Sequence, residues 1–141
     1  MVFAAIAQII GNLSTAAAAA TAICAAAFAF WQIRLGHRLA AHDSYSELLK
    51  TMLEYPEFAK PDYMKIFDEE LSYQKYKRYV GYLFTVCERM LIAEPRTPYW
   101  TATVRYFLEC HIDHLRSDDF RQHHLCHFSP RMQKLIVEIA G

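Results

Sequence analysis

The fold class is decided by residues 13–33, which read LSTAAAAATAICAAAFAFWQI. This stretch contains no Asp, Glu, Lys or Arg. An α-helix rises about 1.5 Å per residue, so roughly 20 apolar residues cross the hydrocarbon core of a bilayer. The stretch therefore predicts a single transmembrane helix, which we place in an anchor segment of residues 1–36.

The charged residues of the chain lie outside this stretch. The 141 residues include 15 Lys+Arg and 15 Asp+Glu, and all of them lie at or after Arg34. Two other interpretations of the apolar segment stay open. One is a cleavable secretory signal, although no basic residue precedes the apolar run. The other is a buried helix of a soluble protein, although the small remainder could hardly enclose it.

The residues that flank the apolar segment predict its orientation. Arg34 and Arg38 follow the segment, and no basic side chain precedes it. Because cytoplasmic flanks are enriched in Lys and Arg, we expect the N-terminus outside and residues 40–141 in the cytoplasm. Trp31 lies where an aromatic belt would meet the lipid headgroups. Trp31, Arg34 and Arg38 are the predicted membrane-interface residues.

Small residues recur along the apolar segment at spacings of three and four. They are Gly11, Thr15, Ala18, Ala22 and Ala25. Small side chains let helix backbones approach closely within a bilayer. We therefore expect this face to pack on a helix of an integral membrane partner. The alternative is that the face contacts only the lipid bilayer, since such spacings arise by chance in Ala-rich segments.

The rest of the chain shows helical periodicity, and no stretch alternates with the period of two that is typical of strands. One apolar stripe runs from Tyr76 to Leu91 and ends before Pro95. Another is headed by Trp100 and includes His111. The sequence predicts an all-α protein, with one N-terminal transmembrane helix followed by a small cytoplasmic bundle of four to five helices.

The residues with metal-ligand chemistry lie close together near the C-terminus. Cys110 and His114 are four residues apart, as are His123 and His127, with a helix break expected between the two pairs. Thiolate and imidazole are zinc ligands, so two facing helices could hold zinc here. The competing interpretation is that His111 is a core histidine and the cysteines are small buried groups, because the spacing matches no established zinc signature.

Four tyrosines follow one another at a spacing of three. Because this spacing drifts around a helix, Tyr73, Tyr76, Tyr79 and Tyr82 cannot all face one core. Tyrosine suits half-exposed surfaces and protein interfaces. Tyr73 and Tyr82, on opposite edges of the helix, are therefore predicted to contact a partner.

Several short stretches carry a resemblance to other proteins. They are SELLKTMLEYPE at 46–57, YVGYLF at 79–84, RYFL at 105–108 after Trp100, and HFSP at 127–130. Together with the N-terminal span, this order resembles a loose group of small bacterial membrane-anchored all-helical proteins of unknown function. The resemblance implies a topology and a bacterial inner-membrane location, and it transfers no catalytic residue.

The function expected from these features is non-enzymatic. The sequence contains no nucleophile motif, no recognisable acid–base pair and no Gly-rich phosphate loop, and it indicates no small-molecule substrate. The zero net charge disfavours nucleic-acid binding. We expect an accessory or assembly subunit of a larger membrane protein complex. The alternative is a membrane-tethered sensor or regulator that binds metal or senses redox state through the Cys/His cluster.

Overall fold

The computed structural model describes the backbone of residues 2–141 and the side chains of Phe3 and of residues 12–141. Its α-helices are α1 (Val2–Glu54), α2 (Pro56–Ala59), α3 (Tyr63–Phe67), α4 (Glu70–Ala93), α5 (Pro98–Cys110), α6 (Ile112–Arg116) and α7 (Pro130–Ala140). A π-helical turn (Phe120–His124) and a 3₁₀ turn (Leu125–His127) lie between α6 and α7. The described residues include no strand, so the predicted all-α fold with one long apolar N-terminal helix is confirmed.

Helix α1 continues past residue 36, where the sequence analysis predicted that it ends. No proline precedes Pro56, and Gly36 alone weakens a helix by only about 1 kcal/mol. The residue before a proline is driven away from helical geometry, and Tyr55 has φ −127° and ψ 62°. The chain still divides into two compact units, Met1–His37 and Arg38–Gly141.

The N-terminal unit exposes its apolar side chains. From Asn12 onward α1 is long and apolar enough to cross a membrane, and none of its apolar window is buried within the chain. Phe28, Phe30 and Trp31 are all more than half exposed. The Thr21 hydroxyl donates a hydrogen bond of 2.9 Å to the Ala17 carbonyl, so this polar group is satisfied inside the helix.

The core of the second unit is built around α4. Helix α4 packs on α3 and α5, while α7 packs on α5 and α6. The side chains predicted from helical periodicity to form the core are indeed buried. On α4 and α5 these are Tyr76, Tyr79, Val80, Leu83, Cys87, Met90, Leu91, Trp100, Val104, Phe107 and Leu108.

Carboxylates of α4 and of its C-terminal end hold the starts of two later helices. Thr97 lies at the N-cap of α5, but its hydroxyl donates to Glu94 Oε2 at 2.7 Å and does not cap the α5 backbone. The backbone N–H of Ser129, which precedes α7, donates to the Glu88 carboxylate. These bonds connect α5 and α7 to the helix at the centre of the core.

Trp100 provides a test of this packing. Its side chain is 4% exposed, and its ring meets that of Tyr45 edge-on at a centroid distance of 5.2 Å. We expect Trp100→Ala to lower the free energy of unfolding by about 3–5 kcal/mol, because it leaves a large cavity. Denaturant titration of the purified chain, followed by near-UV circular dichroism, measures this change.

The neighbouring Tyr99 offers a matched control, because its side chain is 63% exposed. We expect Tyr99→Ala to change the unfolding free energy by less than about 1 kcal/mol, as exposed substitutions usually do. Equal losses in the two variants would show that Trp100 does not belong to the core.

Candidate functional site

The break between α5 and α6 places two histidines in the core. His111 has φ −117° and ψ 26°, which ends α5 and turns the chain into α6. His111 is 2% exposed and His114 is 4% exposed. The centroids of both rings lie within 6.4 Å of those of Tyr76 and Phe84. We refer to these four residues as the histidine centre.

One hydrogen bond ties the histidine centre to α4. Tyr76 Oη and His111 Nδ1 are 3.0 Å apart, and the tautomer of His111 decides which of them donates. The other ring nitrogen, Nε2, is buried without a hydrogen-bond partner. The prediction that His111 is a core histidine is therefore confirmed, with one of its two nitrogens paired.

Burial keeps both imidazoles neutral at pH 7. Loss of hydration, together with a smaller effect of the neighbouring His114, lowers the pKa of His111 to about 4. Loss of hydration also lowers the pKa of His114 to about 4. Asp119 opposes this second shift, while His124 and Lys77 add to it. A neutral imidazole carries one N–H donor and one acceptor nitrogen, so each ring can both donate and accept a hydrogen bond.

Unpaired polar atoms are concentrated around the histidine centre. Across the described side chains, the buried atoms without a hydrogen-bond partner are Tyr79 Oη, His111 Nε2, His114 Nδ1 and Asp119 Oδ2. The Tyr79 and His111 ring centroids are 6.1 Å apart, and Asp119 acts electrostatically on His114. Buried polar groups of native proteins are nearly always paired. Their clustering here marks this region as a candidate site, which sequence reasoning missed because no motif encodes it.

A cleft of about 240 Å³ opens beside His114, and we call it the His114 cleft. Its apolar lining includes Phe84, Phe120 and Phe128. The Phe84 and Phe120 rings meet edge-on at 5.8 Å, and the Phe120 and Phe128 rings stack at 6.1 Å. Phe120 and Phe128 lie on the segment that follows α6, and their rings pack against that of Phe84 on α4.

Ser117 positions this returning segment. Its hydroxyl donates to the His114 carbonyl at 2.7 Å and accepts from the Phe120 N–H at 3.3 Å. The helix break expected between the two Cys/His pairs is present at Ser117, but the chain continues as a π-helical turn and not as a regular α-helix. Such turns are rare and are often found at functional sites.

The rim of the His114 cleft is polar and contains two cations. Lys77 and Arg78 of α4 line it, together with His124 of the π-helical turn. Lys77 Nζ lies 3.8 Å from Asp119 Oδ2 and 5.0 Å from the centroid of the Tyr73 ring. The ammonium group of Lys77 is therefore held over an aromatic face at the mouth of the cleft.

The predicted zinc ligands do not converge. The break at His111 removes Cys110 and His114 from a common helical face. His123 lies in the π-helical turn and His127 in the 3₁₀ turn, and both are exposed, so the α-helical spacing of four does not align them. In the part of the chain that the structure describes, no group of three or more His, Cys, Asp or Glu side chains is arranged to hold a metal ion. The structure does not support the four-ligand zinc site.

The two tyrosines predicted to contact a partner differ in exposure. Tyr73 is 9% exposed and packs edge-on against Phe67 of α3 at 5.1 Å. It belongs to the core, because α3 covers that edge of α4, and its prediction as a partner contact is corrected. Tyr82 is 38% exposed.

Tyr82 lines a second cleft of about 390 Å³, which we call the Tyr82 groove. Tyr55 and Phe58 form one side, and Lys75 and Arg78 of α4 accompany Tyr82 on the other. Aromatic and cationic side chains thus share one concave surface. This composition is typical of the residues that contribute most to protein interfaces.

The small residues predicted to pack on a partner helix lie on the exposed surface of α1. Thr15, Ala18, Ala22 and Ala25 are exposed, while Gly11 lies outside the described side chains. The structure therefore leaves the described part of this face accessible within the N-terminal unit.

The predicted membrane-interface residues have different surroundings. Trp31 and Arg34 are exposed, and the Trp31 ring lies 5.9 Å from that of Phe28. Arg38 Nε instead donates to Glu94 Oε1 at 2.9 Å. This bond, together with one from Thr97, lowers the pKa of the Glu94 carboxyl group. Arg38 thus remains exposed and also binds the C-terminal end of α4, and its place at a membrane interface stays a prediction.

Comparisons with known protein families, with curated protein sequences and with solved structures find no match to this chain. The site is therefore interpreted from its own geometry and chemistry.

Mild acid should destabilise the histidine centre. A histidine in an unfolded chain has a pKa near 6.5, whereas His111 and His114 in the folded chain have pKa values of about 4. The unfolded state binds more protons between these values, so stability that is present above about pH 6.5 is lost as the pH falls toward 4. We expect the free energy of unfolding to fall by up to about 1.4 kcal/mol per pH unit for each histidine.

Denaturant titrations between pH 7 and pH 5 measure this slope, and two variants control it. His111→Asn retains a polar partner for Tyr76 and removes one titrating ring, so it should flatten the slope. His123→Asn replaces an exposed histidine and should keep the wild-type slope. A wild-type slope in both variants would show that the histidine centre does not govern acid stability.

Proposed function

We propose that the chain is a non-enzymatic, single-pass protein of the bacterial inner membrane and an accessory or assembly subunit of a larger membrane protein complex. One observation carries the proposal. The helical segment 13–33 holds no charged residue, and its side chains are exposed. An apolar helical surface of this length needs an apolar environment, and a bilayer together with partner helices supplies one.

The flanking charges support an orientation with the N-terminus outside and the C-terminal domain in the cytoplasm. Arg34 is exposed directly after the apolar segment, in the position that favours retention on the cytoplasmic side. Trp31 is exposed within the same turn of helix and suits the headgroup region. Arg38, one turn further on, is also exposed, although its guanidinium binds Glu94.

The role of accessory subunit rests on two surfaces. Alanine is a weak membrane anchor but allows close helix packing, so the exposed face of Thr15, Ala18, Ala22 and Ala25 suits a partner helix. The Tyr82 groove, on the second unit, presents the aromatic and cationic side chains that commonly dominate protein interfaces.

A metal sensor built on Cys110, His114, His123 and His127 is the weaker candidate. In the described part of the chain these residues do not form a metal-binding group. The buried histidines contact aromatic rings. We therefore do not propose it.

Reporter fusions after Gly141 test the orientation. We expect a green fluorescent protein fusion to fluoresce, because the protein matures in the cytoplasm. We expect an alkaline phosphatase fusion at the same point to be inactive, because that enzyme needs the periplasm. The reverse pattern would overturn the orientation and would favour a cleaved secretory signal.

Substitutions on opposite faces of α1 test the partner helix. Ala22→Leu adds volume to the small-residue face and should weaken assembly by roughly 1–3 kcal/mol through overpacking. Ala20→Leu makes the same change about 180° away around the helix and should leave assembly unchanged. Native gels of detergent extracts, with mass spectrometry of the complex, measure the fraction of chain that is assembled. Equal assembly of both variants would indicate that the face contacts only lipid.

The same assay examines the Tyr82 groove. Tyr82→Ala should reduce assembly without lowering the melting temperature of the purified chain. Tyr106→Ala is its control, because Tyr106 is also exposed and lies outside both clefts. If the wild-type chain is found only as a free monomer in native membranes, the proposed role fails as a whole.

A further inference from the structure

The His114 cleft combines an aromatic lining with a cationic rim, and we propose that it binds a small organic carboxylate with an apolar body. The proposed ligand is a small aromatic or aliphatic carboxylic acid. All residues that line the cleft lie between 74 and 128. The inference therefore goes beyond the proposed function and does not depend on it.

The size and lining of the cleft select a small apolar body. Its volume of about 240 Å³ lies below the usual range of ligand pockets, which is roughly 300–1,000 Å³. Phe84, Phe120 and Phe128 present ring surfaces to the cleft. A ring or a short alkyl chain buries apolar area against these rings, whereas a nucleotide or another large cofactor does not fit.

A glycine on α4 gives a ligand close access to the helix backbone. Gly81 lies inside a 24-residue helix, where glycine is less favourable than alanine. A Cβ atom built at this position has no other atom within 4 Å, so packing inside the described chain does not require glycine. Close approach of a ligand to the backbone is one of the conditions that do require it.

His114 supplies a buried polar group that lacks a partner in the structure. Its side chain lines the cleft and is 4% exposed, and its Nδ1 atom has no hydrogen-bond partner. An unpaired buried nitrogen is costly, and a ligand oxygen that reaches it from the cleft would remove that cost. A neutral imidazole can place its N–H on Nδ1 and donate to a carboxylate.

The charges at the rim favour an anion over a cation. Lys77 and Arg78 line the cleft, and no Asp or Glu does. Asp119 lies 3.8 Å from Lys77 Nζ, which is longer than a hydrogen bond, so the ammonium can still donate to a ligand. A carboxylate has two acceptor oxygens, so it can accept from the buried donor and from a rim cation while its apolar body lies against the phenylalanine rings.

Binding of phenylacetate to the full-length purified chain, measured by equilibrium dialysis with radiolabelled acid, tests the proposal. Two analogues of similar shape are measured in the same assay. Phenylacetamide has a neutral amide in place of the carboxylate, and phenethylamine has a cationic amine. We expect saturable binding of one phenylacetate per chain. We expect both analogues to bind at least about tenfold more weakly than phenylacetate. Binding of phenethylamine as tight as that of phenylacetate would overturn the anionic class.

Two variants locate the ligand. Gly81→Leu should fill the cleft and abolish binding, while Gly36→Leu makes the same change at a glycine that also has open space around it and lies outside the cleft. His114→Phe retains an aromatic ring and removes the donor, so it should weaken binding about tenfold or more. Thermal melts confirm that each variant is folded. Unchanged binding in folded Gly81→Leu would overturn the assignment of the cleft.

A chain-length series distinguishes a soluble acid from an acyl chain drawn from the membrane. Hexanoate and decanoate are dialysed against the chain, with a detergent-only blank subtracted. Affinity that does not increase from hexanoate to decanoate supports a small soluble acid, as the cleft volume predicts, and a steady increase supports a membrane-derived acid. Absence of saturable binding of all three acids up to about 10 mM would overturn the proposal.

Discussion

The hydrogen bond between Tyr76 Oη and His111 Nδ1, 3.0 Å long and fully buried, is the interaction on which the architecture of the second unit depends. It joins the centre of α4 to the residue at which α5 ends and α6 begins. Because His111 is held at this point, His114 one turn later also faces the aromatic core, and the chain after Ser117 returns toward α4. On the returning segment, Phe120 and Phe128 pack against Phe84 and line the His114 cleft.

Burying the two histidines also has an energetic cost. Two imidazoles are buried against aromatic rings with only one of their four nitrogens in a hydrogen bond that the structure shows. Leaving a buried polar group unpaired costs roughly 1–3 kcal/mol, and apolar residues of similar shape would avoid that cost. These unpaired polar groups lie beside an open cleft with cations at its rim. Their position indicates a binding site in this unit.

The two units differ in how far their apolar side chains are buried. The second unit buries a continuous apolar core, although it also exposes large apolar side chains such as Leu53, Met64 and Leu71. The N-terminal unit leaves Ile23, Phe28 and Phe30 exposed within the uncharged segment 13–33. Exposed apolar surfaces of this size commonly mark sites of contact with lipid or protein. The proposed anchoring and assembly roles rest on this unit and on the Tyr82 groove, whereas the proposed ligand site rests on the His114 cleft alone.

The sequence by itself determined the all-α class, the apolar N-terminal helix and the buried faces of α4 and α5, including Trp100 and His111. These features depend on local periodicity and on the absence of charge, which are properties of the chain before it packs. Only the tertiary structure decided that α1 continues to Glu54, that α3 covers Tyr73, and that His123 and His127 lie in π-helical and 3₁₀ turns. The spacing of four that suggested a zinc site aligns side chains only in a regular α-helix, and the geometry of residues 120–127 is set by packing against α4 and α6. The cleft beside His114 could not be predicted for the same reason: its lining comes from separate segments that only folding brings together.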